Sequence, residues 1–266
     1  MERVAGSVRV AAESAGWVSG FAALLTPLWF ASAAFGTKWG ILDWTLGLNT
    51  MTYQWGPRIL LFCLMVGVIT LILMGVHYIL AKSLTGTLVS PLLAVLIGVF
   101  GLVWSGQIEE LRASGVEIYD ISTDGIDPPH FTPGFAARRT GTITDLNYQG
   151  KTGPDGRPVY EIQREIWPDL VTLHLEEEPD TVYRRAVFLA RETGWHIGTA
   201  SQSAGMFEAG TESVWFGFRD DMVVRIRSDE AGGSLVDMRS VARQDINDNG
   251  RNAQRIIDFF ELLSAG

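Results

Sequence analysis

The residues best suited to chemistry lie near the end of the chain. Asp237, Arg239, Ser240, Arg243, Asp248, Asn252 and Arg255 fall between an alternating, strand-like run and an amphipathic segment. On a strand, alternate side chains share a face, so Asp237 and Arg239 point the same way, as do Arg225 and Arg227. Asp220, Asp221, Asp237 and Asp248 can then pair with Arg225, Arg227, Arg239, Arg243 and Arg255. Two roles fit such a set. One is an internal ion-pair scaffold, in which removing one partner costs about 3–5 kcal/mol. The other is a binding surface, where clustered guanidinium groups beside the amides of a helix start suit a carboxylate or phosphate headgroup. The seven residues are the candidate binding site.

Other chemistry finds less support. Asp245-x-Asn247-x-Asn249-Gly250 has the first half of a calcium loop, but the twelfth position, where a bidentate Glu belongs, is Ile256. The segment reads better as a turn that caps the following helix. Asp120, Asp124 and Asp127 are a second set of oxygens, but Pro128-Pro129 beside them points to a pre-shaped turn. No nucleophile elbow, phosphate loop or zinc spacing is present, and His130, His174 and His196 stand in unlike contexts. No metal or cofactor is expected, no catalytic residue can be named, and a binding role is favoured over an enzyme. The single cysteine, Cys63, cannot form an intramolecular disulfide.

The elements that carry these residues divide by composition. Residues 1–112 hold six basic side chains (Arg3, Arg9, Lys38, Arg58, Lys82, Arg112) and five acids, leaving 15 of the 21 basic and 25 of the 30 acidic groups to the rest. A nearly uncharged first part therefore joins an acidic second part, which repels nucleic-acid backbones. Gly16–Gly36, Ile59–Ala81 and Thr87–Ser105 are apolar runs of 21, 23 and 19 residues without Asp, Glu, Lys or Arg. Each matches the length of helix needed to cross about 30 Å of hydrocarbon. The first is too long, and too poorly followed by small residues, for a cleaved signal, and is expected to be retained. Spans without charge argue against a pump or transporter. His77, near the end of the second, reads as an interfacial residue. Trp39, Trp44, Tyr53 and Trp55 between the first two spans suit the headgroup layer. Basic residues tie between the two sides, so the count does not orient the chain. The short basic loop Lys82–Gly86 and the acids Glu109 and Glu110 lean toward a second part outside the cytoplasm.

In the second part, residues 113–180 read as an extended connector and an irregular segment, with turn signals at Gly153-Pro154-Asp155-Gly156 and a strand within Trp167–Leu175. Val182, Ala186, Leu189 and Ala190 predict a helix, capped by Asp180 or Thr181 and closed by Gly194. Strands are predicted at Trp195–Gln202, Met206–Trp215, Met222–Arg227 and Ser234–Val241, separated by short turns. Asn252, Ile256, Phe259, Phe260 and Leu263 then give a second helix. Residues 181–266 are thus an α+β core: a four-stranded antiparallel meander packed on one face by two helices, resembling the helix-grip domains of outer-membrane assembly lipoproteins.

One family resemblance adds to this reading. Asp237, Arg239, Ser240, Arg243, Asp248, Gly250, Asn252, Arg255 and Ile256 follow the pattern of the family catalogued as domain of unknown function 1499. Ala242 and Asp245 depart from that pattern, standing where a Ser and a Gly are expected. Ile121-Ser122-Thr123-Asp124 with Pro128-Pro129, and Phe216-Gly217-Phe218-Arg219-Asp220-Asp221 before Val223-Val224-Arg225, also resemble the family, over roughly residues 118–263. The resemblance implies an exported or membrane-tethered protein of bacterial or plastid type, without an established activity. The expectation is an inner-membrane protein with a periplasmic domain that binds an envelope partner protein or an amphiphile. The alternatives are an enzyme of envelope lipids or sugars, with Asp248, Arg239 and Arg243 at its centre, and a structural tether.

Overall fold

The computed structural model describes residues 2–114, 118–139, 142, 144–244 and 250–266. The chain divides into two compact units, one of residues 1–113 with Val214–Gly217 and one of residues 114–213 with 218–266.

The first unit is helical. Helix α1 runs Glu2–Lys38, α2 Gly56–Ala81 and α3 Val89–Ser114. Three segments, Glu2–Lys38, Thr45–Ala81 and Val89–Glu110, are long and apolar enough to cross a membrane. The helices extend past the predicted runs at both outer ends, because the polar residues of an emerging helix keep their own backbone hydrogen bonds. The aromatic stretch expected at the headgroup layer is itself helical: Thr45–Trp55 forms a π-helix that leads directly into α2. Packing rests on small residues. A Cβ at Gly67 would lie 2.8 Å from the Pro91 carbonyl oxygen, and one at Gly98 would lie 2.6 Å from the Leu64 Cβ. These glycines let α2 and α3 approach closely. At Gly16, by contrast, a Cβ would meet nothing within 4 Å. Buried Ser19 and Thr70 join α1 to α2 through hydroxyls 2.7 Å apart. His77 packs against protein near the end of α2, with Nε2 3.5 Å from the Ser83 hydroxyl.

The second unit is α+β, with six strands among the described residues, where the sequence predicts the four of the meander and one more within Trp167–Leu175. Strands β3 (His196–Ser201), β4 (Met206–Glu212), β5 (Arg219–Ser228) and β6 (Ser234–Ala242) form the predicted antiparallel meander. Two three-residue strands add to β6. β1 (Asp120–Ser122) pairs with Arg239–Val241, and β2 (Leu173–Leu175) with Ser234–Val236. The first lies inside the expected connector, where three extended residues are too few to show a period.

Helices α6 (Pro179–Glu192) and α7 (Arg251–Ser264) cover one face of the sheet. Glu178, not Asp180 or Thr181, occupies the N-cap of α6, because Pro179 fits the first helical position, where no amide donor is needed. At the other end Gly194, at φ 81°, closes a Schellman turn: its amide bonds to the Arg191 carbonyl and that of Trp195 to the Ala190 carbonyl. Short helices α4 (Pro133–Ala136) and α5 (Val159–Ile166) were not predicted. Val159 and Ile162 of α5 join the core, which draws on α6, α7 and the inward residues Phe207, Ala209, Met222, Val224, Ile226, Val236 and Met238. The opposite face of the sheet lies under residues 123–139 and 144–146, with Phe135 against Gly198, where a Cβ would come 2.6 Å from the ring.

Candidate functional site

The strand pleat sends the candidate residues to opposite faces of the sheet. On the connector face, Arg239 is fully buried. Its Nε and Nη2 donate to the two carboxylate oxygens of Asp120 at 2.9 and 2.8 Å, and Nη2 also donates to the Leu146 carbonyl at 2.9 Å. The guanidinium lies between the rings of Phe131 and Tyr148, 5.6 and 5.2 Å from their centroids. Lys151 adds a second cation to Asp120. Burial, together with the Asp120 charge, pushes the Tyr148 hydroxyl above its ordinary range, so it stays protonated and donates to Gln163 Oε1.

Asp237, also buried, accepts from Arg225 and Arg227 at 3.0 and 2.7 Å and from the Thr172 hydroxyl at 2.6 Å. Arg225 reaches on to the carboxylate and carbonyl of Asp127, at 2.8 and 2.7 Å. Burial works against the Arg225 charge, but its bonds to Asp237 and Asp127 outweigh that and raise its pKa. Arg243 forks onto the buried carboxylate of Asp221 at 2.9 and 2.8 Å, and Arg139 meets the same group at 2.7 Å.

On the helix face, the Ser240 hydroxyl donates to Asn252 Oδ1 at 2.6 Å, tying β6 to the first turn of α7. Arg255 donates to Ser240 Oγ at 3.0 Å and to Asp220 at 2.6 Å. Asp248, and with it the half calcium loop at Asp245, Asn247 and Asn249, lies outside the described residues.

The pairs Asp237 with Arg225 and Arg227, Asp221 with Arg243, and Asp220 with Arg255 were among those the spacing allowed. Arg239 instead takes Asp120, which sequence reasoning assigned to a turn. Arg139, Lys151 and Glu208 were also missed. Glu208 is fully buried and accepts from the Thr132 amide and hydroxyl. A signal for it existed: an acid flanked by Phe207 and Ala209 inside a strand whose other acid, Glu212, stands at its end. Chemically, Arg239, Arg243 and Arg255 direct their forks at internal carboxylates, in the geometry of a scaffold. Among the described residues, no group of three His, Cys, Asp or Glu is placed to hold a metal ion.

Open surface suited to a ligand lies elsewhere in the unit. A groove of about 610 Å³ runs between the 166–174 segment and α7. Its walls are Ile166, Trp167, Leu170, Val171, Leu173, Ile257 and Phe260, and its rim carries Asp169, His174 and Glu261. Ile166 and Val171 are each 38% exposed, a large fraction for apolar residues beside a closed core.

Fold and site together define the class: an antiparallel α+β domain, scaffolded by buried ion pairs, in a chain whose first part carries three membrane-length apolar helices. Residues 120–263 match the family described as Protein of unknown function (DUF1499), and the chain belongs to that family. No curated protein matches the chain.

Proposed function

We propose that this is a membrane-held binding protein whose soluble unit takes an amphiphile in the groove beside α7. The observation that carries the reading is the groove itself, about 610 Å³ between apolar walls with polar groups beside them, which suits an acyl or prenyl chain. The carboxylates Asp169 and Glu261 and the imidazole of His174 suit a headgroup that offers hydrogen-bond donors or positive charge. The Arg/Asp residues then act one step away: the Thr172 hydroxyl bonds to Asp237, so the ion-pair scaffold holds the segment that forms the groove wall. Spans in the same chain raise the local concentration of lipid, which favours a weak site of this kind. The short basic loop Lys82–Gly86 supports placing the soluble unit outside the cytoplasm, in the periplasm of a cell with an inner membrane.

A photoreactive benzoylphenylalanine at Val171, activated in intact membranes, is expected to capture an amphiphile. Ser264→Trp, which fills the groove from its exposed rim, is expected to suppress capture while leaving the melting curve of the purified protein unchanged. No adduct at Val171, or an adduct that Ser264→Trp does not reduce, overturns the reading.

A further inference from the structure

The turn joining β4 to β5 reads Ser213-Val214-Trp215-Phe216-Gly217-Phe218. A surface turn of this length is ordinarily built of Gly, Asn, Asp and Ser. Here Val214 is 71% and Trp215 61% exposed. The turn is nonetheless well formed: the Ser213 amide bonds to the Phe218 carbonyl at 2.8 Å and the Phe218 amide to the Ser213 hydroxyl at 2.9 Å. Gly217 supplies the positive φ, 70°, that the reversal needs. Glu212 and Arg219 pair across its base at 2.9 Å. A stiff hairpin thus carries an apolar tip above a charged collar, and the tip groups with the helical unit: Lys38 Nζ donates to the Val214 carbonyl at 2.9 Å and the Trp215 ring lies 5.7 Å from that of Phe35.

Register says which end of the sheet carries that tip. Asp120, the first residue of β1, pairs with Val241; Asp220 pairs with Ala242 and with Thr211. The start of β1 and the β4–β5 tip therefore lie at one end of the sheet. The β5–β6 turn, closed by Ser228 opposite Ser234, lies at the other. β1 begins six residues after α3 ends at Ser114, and six residues reach at most ~22 Å. The tip is on the end of the sheet by which the chain arrives from its last membrane-length helix.

We propose that Val214 and Trp215 form a bilayer-contacting tip, inserted at the level of the headgroups. Indole suits that layer because its ring is apolar while its N–H stays hydrated. The Arg219 guanidinium at the collar, paired through Nε with Glu212, is the cation this tip would offer to lipid phosphate. The occupant is the lipid surface itself, and this proposal does not depend on the groove. With the spans as the first anchor, the tip is a second that holds the soluble unit in one orientation on the membrane.

The test uses the full chain in phosphatidylcholine–phosphatidylglycerol nanodiscs, in a Cys63→Ala background. Nitroxide labels are placed at Val214→Cys and, as a control at the other end of the sheet, at Ala231→Cys. The Val214 label is expected to be several-fold more accessible to oxygen and several-fold less accessible to a water-soluble nickel reagent than the Ala231 label. Equal accessibility at the two positions overturns the proposal. So does shielding of the Val214 label from both reagents, which marks packing against protein. Unchanged melting of both labelled variants establishes that the fold is intact. Trp215→Phe keeps the apolar ring and is expected to keep the Val214 pattern, whereas Trp215→Asp is expected to abolish it.

Discussion

The two faces of the sheet are covered by different kinds of chain, and their chemistry differs accordingly. Under α6 and α7 the inward residues are Phe207, Ala209, Met222, Val224, Ile226, Val236 and Met238. Under residues 123–139 and 144–146 they include the charged Asp120, Glu208, Asp221, Arg225, Asp237 and Arg239, set among the buried valines Val223 and Val241. A helix satisfies its own backbone, so its body asks of a sheet mainly apolar surface, and polar contacts on this face gather at the start of α7, where Ser240 and Asp220 meet Asn252 and Arg255. An irregular segment carries unpaired amides and carbonyls, which are costly to bury. The charged face supplies their partners: Arg239 bonds the Leu146 carbonyl, Arg225 the Asp127 carbonyl, Arg139 the Thr144 carbonyl and Glu208 the Thr132 amide. Charge on this face is what allows a connector with little helix or strand to serve as a lid.

The comparison breaks most sharply at Arg239. Arg239→Met is expected to destabilise the soluble unit by about 3–5 kcal/mol, because Asp120 loses its fork and a carbonyl loses its donor inside a closed layer. Met238→Ala, one residue away on the apolar face, is expected to cost about 2–5 kcal/mol through the cavity it leaves. The two separate on the second substitution. Adding Asp120→Asn to Arg239→Met removes a carboxylate left with Lys151 in place of the guanidinium fork and is expected to restore part of the loss. Hydrogen exchange at the β6 amides measures both effects. If Arg239→Met costs less than about 1 kcal/mol, Arg239 is not part of a scaffold.

The same comparison explains what the sequence revealed and what it hid. Strands β3 to β6 were legible because each is long enough to show alternation and each is bounded by Gly, Ser or Asp. α6 and α7 were legible from the spacing of Val182, Ala186 and Ala190, and of Ile256, Phe259 and Leu263. β1 and β2 have three residues each and pair with β6; β2 lies inside the strand expected within Trp167–Leu175, whereas β1 gave no signal in the connector. Val159 and Ile162 carry a helical period, but Pro158 and the preceding Gly-Pro-Asp-Gly turn masked it. Of the site, the pairs between neighbouring strands followed from period two. The Arg239–Asp120 pair spans 119 positions of sequence and no local rule reaches it. The groove was hidden for a similar reason, since its two walls come from segments some ninety residues apart.

A smaller effect tests the lid through Tyr148. Its hydroxyl is neutral in the fold and its pKa is raised above the ordinary 10.0, by burial first and by the Asp120 charge second. A raised folded value means that the stability tied to this proton is fully present below pH about 10 and is lost as the pH rises beyond it. The intact protein is therefore expected to open on the connector face in alkali, above pH about 10. Tyr148→Phe is expected to flatten that decline while costing one hydrogen bond to Gln163, about 1 kcal/mol, at neutral pH. Tyr183, on the inward side of α6, has its pKa raised by burial and is left to titrate in the variant. An alkaline profile identical in wild type and Tyr148→Phe means that this face is not sealed.

The smallest expected effect lies outside both faces. Glu177 accepts from Arg185 at 2.7 Å, in front of α6, and this bond holds the Glu177 carboxyl below its ordinary 4.5. A depressed folded value places the stabilisation above pH about 4.5 and removes it as the pH falls through the lower, folded value. Glu177→Gln leaves intact the backbone carbonyl that accepts from the Ser234 hydroxyl, so the β2–β6 junction is untouched. At pH 7 the variant is expected to melt slightly below wild type, and at pH 3 the two curves are expected to converge. High salt is expected to close the same gap, because both partners are within reach of solvent ions. The buried Arg239–Asp120 pair, sealed from those ions, is expected to show no such salt response, so one titration separates a solvated pair from the ion pairs that hold the lid.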